Sequence, residues 1–282
     1  MESKRHSGGT RRHKVLAALA GTAILALAVG AASSSASHSW GGYHWARTQN
    51  PFTLSLGDNV GASWDSYLSA VSADWSSDQA DPSWPDATPP PAGEFRVNPL
   101  NTRVVAGGTT ARKCRPSPSR IEICDASYGN NGWLGLASIW LSGSHITQGT
   151  VKLNDTYFAS GSYNTPAWRQ SVACQEVGHT FGLDHQDESG ADLDTCMDYS
   201  TSPNVHPDQH DYNELGIIYS HTDSSNGGSV SLSTARAPSG NGLRRVREGL
   251  YVEDLGGDRK RLVWVFWKNQ KSNHFGAPVS AD

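Results

Sequence analysis

The sequence has little charge, little sulfur and no repeats. Charged residues make up 18% of its 282 positions and hydrophobic residues 37%, and there are only four cysteines and two methionines. The absence of heptad or collagen repeats excludes coiled-coil and fibrous proteins, and the apolar and aromatic content is too high for a disordered chain. The formal net charge is −4, so we expect no nucleic-acid partner.

The N-terminus is basic and is followed by a long apolar run. Five Lys and Arg residues lie within positions 4–14, residues 15–32 are apolar, and small residues lead to Ala36. This order is typical of a signal peptide, residues 1–36, and Thr10-Arg11-Arg12 leaves twin-arginine export open. Its removal takes away five positive charges and one negative one, so the net charge falls from −4 to −8. We predict a secreted, extracellular protein without stable membrane association; the alternative is a cell-surface protein anchored by the apolar run.

The remaining sequence predicts short strands mixed with three helices, an α+β fold with a mixed twisted sheet. One apolar stripe of an amphipathic helix is formed by Trp64, Leu68, Val71 and Trp75. A second helix is predicted between Thr165, a candidate N-cap followed by proline, and Gly182, a candidate stop, and a third begins near Asp208. Strands are predicted at residues 44–59, 95–97, 103–105, 120–124, 136–141, 150–154, 250–254 and 262–267.

Composition also predicts the domain organisation. Residues 37–221 form the main domain, residues 222–240 are rich in Ser, Gly, Asn and Thr and predict a linker, and residues 241–282 predict a small C-terminal β element. The even number of cysteines fits disulfides in an oxidising compartment. Cys114 and Cys124 flank a proline-rich turn, which favours a disulfide between them.

Residues 174–185, Cys-Gln-Glu-Val-Gly-His-Thr-Phe-Gly-Leu-Asp-His, carry the chemistry. Residues four apart on a helix project from one face, and a glycine turn after His179 lets His185 fold back toward it. Zinc sites with a neighbouring glutamate as general base need this layout. The segment resembles the motif of the metzincin zinc metallopeptidases, the matrixin-like ones in particular: His-Glu-x-x-His-x-x-Gly-x-x-His. Glu176, His179, Gly182 and His185 match it, and Gln175 stands in place of the first zinc-binding His.

A second segment, Cys196-Met197-Asp198-Tyr199, resembles the Met-turn of the same family, and the likeness extends over about residues 44–221. The resemblance implies a zincin-like fold with an active-site helix, a Met-turn and a C-terminal helix. It implies one catalytic Zn²⁺ and a polypeptide substrate. The implied roles are zinc ligation by His179, His185 and Gln175, general-base catalysis by Glu176, oxyanion stabilisation by Tyr199 and structural support by Met197.

The resemblance also bears on Cys174, which precedes the motif. Residues five apart on a helix point about 140° apart, so Cys174 is a poor zinc ligand beside His179. A disulfide from Cys174 to Cys196 would instead tie the active-site helix to the Met-turn. Further candidate ligands remain open: Asp184, Asp187, Asp192, His206 and His210. A structural Ca²⁺ ion is kept as a second candidate cofactor.

Taken together, these residues predict a monomeric, secreted zinc metalloendopeptidase that hydrolyses peptide bonds with metal-activated water and Glu176 as base. Because an amide oxygen is a weaker zinc ligand than imidazole, Gln175 leaves a second interpretation open. This alternative is a secreted, non-catalytic binding protein on a zincin scaffold.

Overall fold

A computed structural model describes residues 38–76, 98–226 and 242–268. The predicted signal peptide, the strand at 95–97, most of the predicted linker and the last 14 residues lie outside the described residues. No helix in the described ranges is both long and apolar enough to cross a membrane.

The described residues form nine strands and four α-helices, and the α+β fold class predicted from the sequence is confirmed. The strands are β1 (His44–Trp45), β2 (Phe52–Asn59), β3 (Leu100–Ala106), β4 (Ile121–Ala126), β5 (Trp133–Ser142), β6 (His145–Asn154), β7 (Arg244–Arg247), β8 (Leu250–Gly256) and β9 (Arg259–Trp267). The helices are α1 (Asp65–Ser76), α2 (Asp155–Phe158), α3 (Pro166–His179) and α4 (Gln209–Ile218).

All nine strands belong to one mixed sheet with the order β3-β2-β4-β6-β5-β9-β8-β7, and β1 pairs with β6. The first four strands of this order are parallel. From β5 onward each pairing is antiparallel. The main hydrophobic core includes the predicted stripe of α1, whose members Trp64, Leu68, Val71 and Trp75 are all buried. A smaller apolar cluster around Trp133 includes side chains of β5, β8 and β9.

The C-terminal strands differ from the sequence-based prediction. Residues 241–282 were expected to form a small β element of their own, but β9 pairs with β5 along Trp133–Ser142 and continues the main sheet. The alternation within a strand predicts which face is buried, whereas the choice of a pairing partner depends on contacts distant in sequence. The sequence also missed β7, which is only four residues long and three-quarters arginine.

Two boundaries are corrected as well. The single strand predicted at 44–59 is two strands, because residues 46–51 leave the sheet between β1 and β2. Pro51 lies in that break, consistent with a residue that cannot donate a ladder hydrogen bond. The predicted N-caps are confirmed: Thr165 Oγ1 accepts from the backbone N–H of Trp168 at 3.2 Å, and Asp208 forms a capping box with Asp211.

Candidate active site

Gly182 brings the two histidines of the motif together. Helix α3 ends at His179, and three residues later Gly182 has φ +100°, a conformation that other residues rarely adopt. A Cβ atom there would lie 2.1 Å from the backbone oxygen of Tyr43, so only glycine fits. The turn returns the chain toward the helix end, as predicted, and places His185 against His179.

The two imidazoles have the geometry of paired metal ligands. The Nε2 atoms of His179 and His185 are 3.1 Å apart. Nδ1 of His179 lies 3.0 Å from the carbonyl oxygen of Leu183, which can only accept a hydrogen bond. Nδ1 therefore carries the hydrogen, which leaves the lone pair on Nε2, as in histidines that bind metals.

Burial keeps both imidazoles neutral. Desolvation lowers the pKa of His179 well below its ordinary value, and burial lowers the pKa of His185 to about 4. Neutral imidazole is the form that binds zinc, and two zinc-bound nitrogens at about 2.0–2.1 Å from a tetrahedral ion lie about 3.3 Å apart. The spacing, protonation and orientation of this pair therefore fit a zinc ion.

Glu176 lies on α3, three residues before the helix ends at His179, and is fully buried. Burial raises the pKa of its carboxyl group well above the usual range, and the backbone amides of Ala137 and Phe266 oppose that shift only in part. Gly135 on β5 gives the side chain its room, because a Cβ atom there would lie 2.7 Å from Cγ of Glu176. The site glutamate thus packs directly against strand β5.

Gln175 has a role that the sequence did not predict. Its amide nitrogen donates to the backbone oxygens of Cys196 at 2.8 Å and Asp198 at 2.7 Å, one on each side of Met197. Its side-chain oxygen is buried and accepts no hydrogen bond from the described residues. The nitrogen therefore tethers the Met-turn, while the oxygen is available for a ligand.

The segment that resembles a Met-turn, residues 196–199, contacts His185 through Tyr199. Met197 is fully buried, and the ring of Tyr199 lies 4.8 Å from that of His185 between centroids. The Tyr199 hydroxyl is buried and has no hydrogen-bond partner in the described part of the chain. Met197 and Tyr199 are thus both placed next to the predicted ligands.

Both predicted disulfides are confirmed, Cys114–Cys124 and Cys174–Cys196. The second links α3 to the segment that contains Met197, and its cysteines are 22 positions apart in the sequence. A crosslink over a loop of this size stabilises the fold by roughly 3 kcal/mol in the chain-entropy account.

The C-terminal strands cover the site, which no local sequence signal indicated. Trp264 of β9 stacks on His179, with ring centroids 5.0 Å apart and an angle of 11° between the planes. Its indole N–H donates to Asp184 at 3.3 Å, and Arg247 pairs with both Asp184 and Glu188. The side chains of Trp264 and Arg247, which lie 60 or more residues downstream, therefore cover the predicted ligands His179 and His185.

Of the other candidate ligands, only Asp184 adjoins the site. Asp187 accepts three hydrogen bonds from residues 189–191, and Asp192 accepts one from Asn204, so both carboxylates organise their own exposed loop. His206 lies 3.0 Å from Asp74. His210 stacks on His38. The two histidines do not join His179 and His185, and calcium binding stays a prediction.

A comparison of the sequence with models of known protein families finds no match, and a comparison with curated proteins finds none either.

Proposed function

We propose that this chain is a secreted zinc metalloendopeptidase with a zincin-like, matrixin-like metzincin fold. The observation that carries the proposal is the pair of buried, neutral imidazoles of His179 and His185, 3.1 Å apart, with the buried Glu176 three residues before His179 on the same helix. These two side chains would hold the zinc ion, and the unpartnered oxygen of Gln175 is the third candidate ligand. A bound zinc ion supplies a Lewis acid that polarises a carbonyl group and lowers the pKa of water.

The protein groups around the pair suit peptide hydrolysis. As general base, the ionised carboxylate of Glu176 would accept a proton from the attacking water, and burial, which raises its pKa, makes it a stronger base than an exposed carboxylate. The Tyr199 hydroxyl is free to donate a hydrogen bond to the oxyanion that develops during attack on the peptide carbonyl. Met197 supports the ligands from below and takes no part in proton transfer.

The substrate would have to displace part of the C-terminal sheet. An extended polypeptide binds well along a free strand edge, and β5 is the strand that contacts Glu176. Strand β9 pairs with that edge along Trp133–Ser142. On this proposal, hydrolysis requires β9 and Trp264 to move away, and the described form would be a closed state.

The same closure favours the second candidate function, a secreted, non-catalytic binding protein on this scaffold. A site without access for a peptide performs no hydrolysis, and the Gln175 nitrogen serves the Met-turn instead of chemistry. In that case the buried histidines stabilise the fold, and any ligand binds elsewhere. The two functions differ in whether peptide bonds are cleaved at all.

Glu176→Gln decides the mechanism. We expect the full chain to hydrolyse denatured casein or a mixture of quenched fluorescent peptides, and the variant to lose at least roughly 10²-fold of that activity, a typical general-base contribution. Zinc content and the circular dichroism spectrum should stay unchanged. Glu253→Gln, on β8 and paired with Arg261, is the matched control and should behave like wild type. Undiminished hydrolysis in Glu176→Gln would exclude the assigned base.

Arg247→Ala separates the closed enzyme from the binding protein. The substitution removes the ion pairs to Asp184 and Glu188 that hold the C-terminal strands over the site, so hydrolysis should increase. If neither wild type nor Arg247→Ala cleaves any peptide while both hold zinc that His179→Ala removes, the peptidase is wrong and the binding protein remains.

A further inference from the structure

A second histidine cluster lies outside the site described above. Nε2 of His145 is 3.1 Å from Oδ1 of Asp223, and Nε2 of His44 is 3.5 Å from the same oxygen. Nε2 of His221 is 3.2 Å from Nε2 of His44 and 3.8 Å from Oδ1 of Asp223. None of these four residues belongs to a motif that is recognisable in the sequence.

The fold brings the cluster together from three segments. The parallel pairing of β1 with β6 places His44 directly opposite His145. The backbone N–H of Asp223, five residues after α4, donates to the carbonyl oxygen of Arg47 at 2.7 Å. In return, the backbone and guanidinium groups of Arg47 donate to Oδ2 of Asp223 at 3.1 and 2.8 Å. These contacts occupy Oδ2 and leave Oδ1 directed at the histidines.

The acceptors of the cluster face one another. Nδ1 of His44 donates to the carbonyl oxygen of Gly42 at 2.8 Å, so Nε2 of the neutral ring carries a lone pair. That lone pair lies 3.5 Å from a carboxylate oxygen of Asp223, which is also only an acceptor. Without a metal, an N–H of His221 at 3.2 Å can donate to the same lone pair, and a cation between the two acceptors would replace that hydrogen bond by binding both of them.

The arrangement matches the requirements of a tetrahedral metal. Three imidazoles and one carboxylate are a common zinc donor set, and neighbouring donors at about 2.0–2.1 Å from a tetrahedral ion lie about 3.3 Å apart. Four of the six donor separations, 3.1–3.8 Å, bracket that value. The ligand atoms of His44, His145 and Asp223 all lie within 4.8 Å of one another, and His221 would complete the set from beside His44 and Asp223. The rings of His145 and His221 are each nearly perpendicular to that of His44, at 84° and 90°, so the rings do not stack and can approach one centre edge-on.

We propose that His44, His145, His221 and Asp223 form a zinc site that is independent of the His179–His185 pair. All four coordination positions are supplied by the protein, which is the pattern of structural rather than catalytic zinc. The ion would join β1, the start of β6 and the segment after α4. The proposal stands whether or not the chain hydrolyses peptides.

The test compares the zinc content of three forms of the full chain after loading with zinc and removal of free metal. In the double variant His145→Ala/His221→Ala the substituted side chains are 42% and 50% exposed in wild type, so their loss opens no core. We expect it to retain one zinc ion per chain fewer than wild type. His206→Ala, at an equally exposed histidine outside the cluster, is the matched control and should retain the wild-type amount. The difference does not depend on whether His179 and His185 also bind zinc.

Two measurements keep the result interpretable. Circular dichroism must show a folded double variant; should it unfold, the single variant His221→Ala replaces it, with at least about tenfold weaker zinc binding expected in a chelator titration. Cobalt loading gives an independent readout, because wild type should gain the visible absorption of four-coordinate cobalt at this site and the variants should lose it. Equal zinc content and equal affinity in wild type and variants would overturn the proposal.

Discussion

The two histidine clusters differ in the segments that contribute their residues and in the solvent exposure of their side chains. His179 and His185 are six residues apart in one motif, are almost fully buried, and lie under Trp264. His145 and His221 of the second cluster are roughly half exposed, and the cluster joins three segments that are more than 70 residues apart. The first cluster has a recognisable spacing, with glutamine at the position of the third ligand in the motif. The second has no motif, and its histidines and carboxylate come from these three segments.

This contrast shows what a metal motif does and does not specify. Helical spacing and one glycine turn suffice to place two nitrogens 3.1 Å apart, so the first cluster follows from local geometry. The cover of this cluster depends on Trp264 and Arg247, and the orientation of Gln175 depends on the backbone oxygens of Cys196 and Asp198; none of these residues belongs to the motif. The second cluster depends on the pairing of β1 with β6 and on the contacts between Asp223 and Arg47.

The largest expected effect is a loss of stability on substitution of Gln175, which should leave the second cluster unchanged. In Gln175→Ala the backbone oxygens of Cys196 and Asp198 lose their donor. A buried carbonyl left without a donor costs about 1–3 kcal/mol, so the free energy of unfolding should fall by about 4 kcal/mol in chelator-treated protein. Urea denaturation measures this loss. Zinc content attributable to the second cluster should not change.

Gln175→His sharpens the same result. Imidazole is a stronger zinc ligand than an amide oxygen, but a histidine has only one ring N–H to offer the backbone oxygens of Cys196 and Asp198 once the other nitrogen faces a metal. We expect zinc affinity to rise in a chelator competition while stability without metal falls. If alanine, histidine and wild type hold zinc equally, Gln175 is no ligand, and its role is confined to tethering the Met-turn.

The next prediction concerns the pH dependence of the stability of the metal-free chain. His185 has a folded pKa of about 4, below the ordinary value near 6.5, so between these values the unfolded chain takes up a proton that the folded chain does not. Stability should therefore fall as the pH drops from 6.5 toward 4, by about 3 kcal/mol for a shift of this size. Urea denaturation across that range measures it.

His185→Gln should reduce the pH dependence between 6.5 and 4, and His179, whose pKa is lowered as well, should account for part of the remainder. His206→Gln, outside both clusters, should leave the dependence unchanged. Asp223 of the second cluster responds in a different window, because its contacts lower its pKa to about 2 and the stability they provide is present above pH 4 and lost below it. An unchanged pH dependence in His185→Gln would contradict the assignment.

The smallest expected effect is kinetic and uses Arg247. In the zinc-loaded chain, transfer of zinc to a chromophoric chelator should occur in two phases, fast from the open second cluster and slow from the covered first one. Arg247→Ala removes two partly exposed ion pairs, each worth up to about 1 kcal/mol, so the slow phase should accelerate about fivefold. Acceleration of the fast phase as well would show that the substitution loosens the whole fold.

Much of the fold could be predicted because its signals are local. The buried stripe of α1, the Thr165 and Asp208 caps and the Gly182 turn each depend on residues within one or two helical turns. The error over residues 241–282 has the opposite origin. The sequence showed that β8 and β9 are strands, but the edge of β5 against which β9 pairs lies more than 115 residues earlier.

The sequence by itself determined where the predicted ligands lie along the chain, which cysteines pair, and which faces of the helices are buried, because spacing, capping and amphipathicity act over a few residues. Only the tertiary structure decided that Trp264 and Arg247 close the first site, that the Gln175 nitrogen bonds the Met-turn, and that His44, His145, His221 and Asp223 meet. These contacts form when distant segments pair and pack, and no short-range pattern carries the choice of partner.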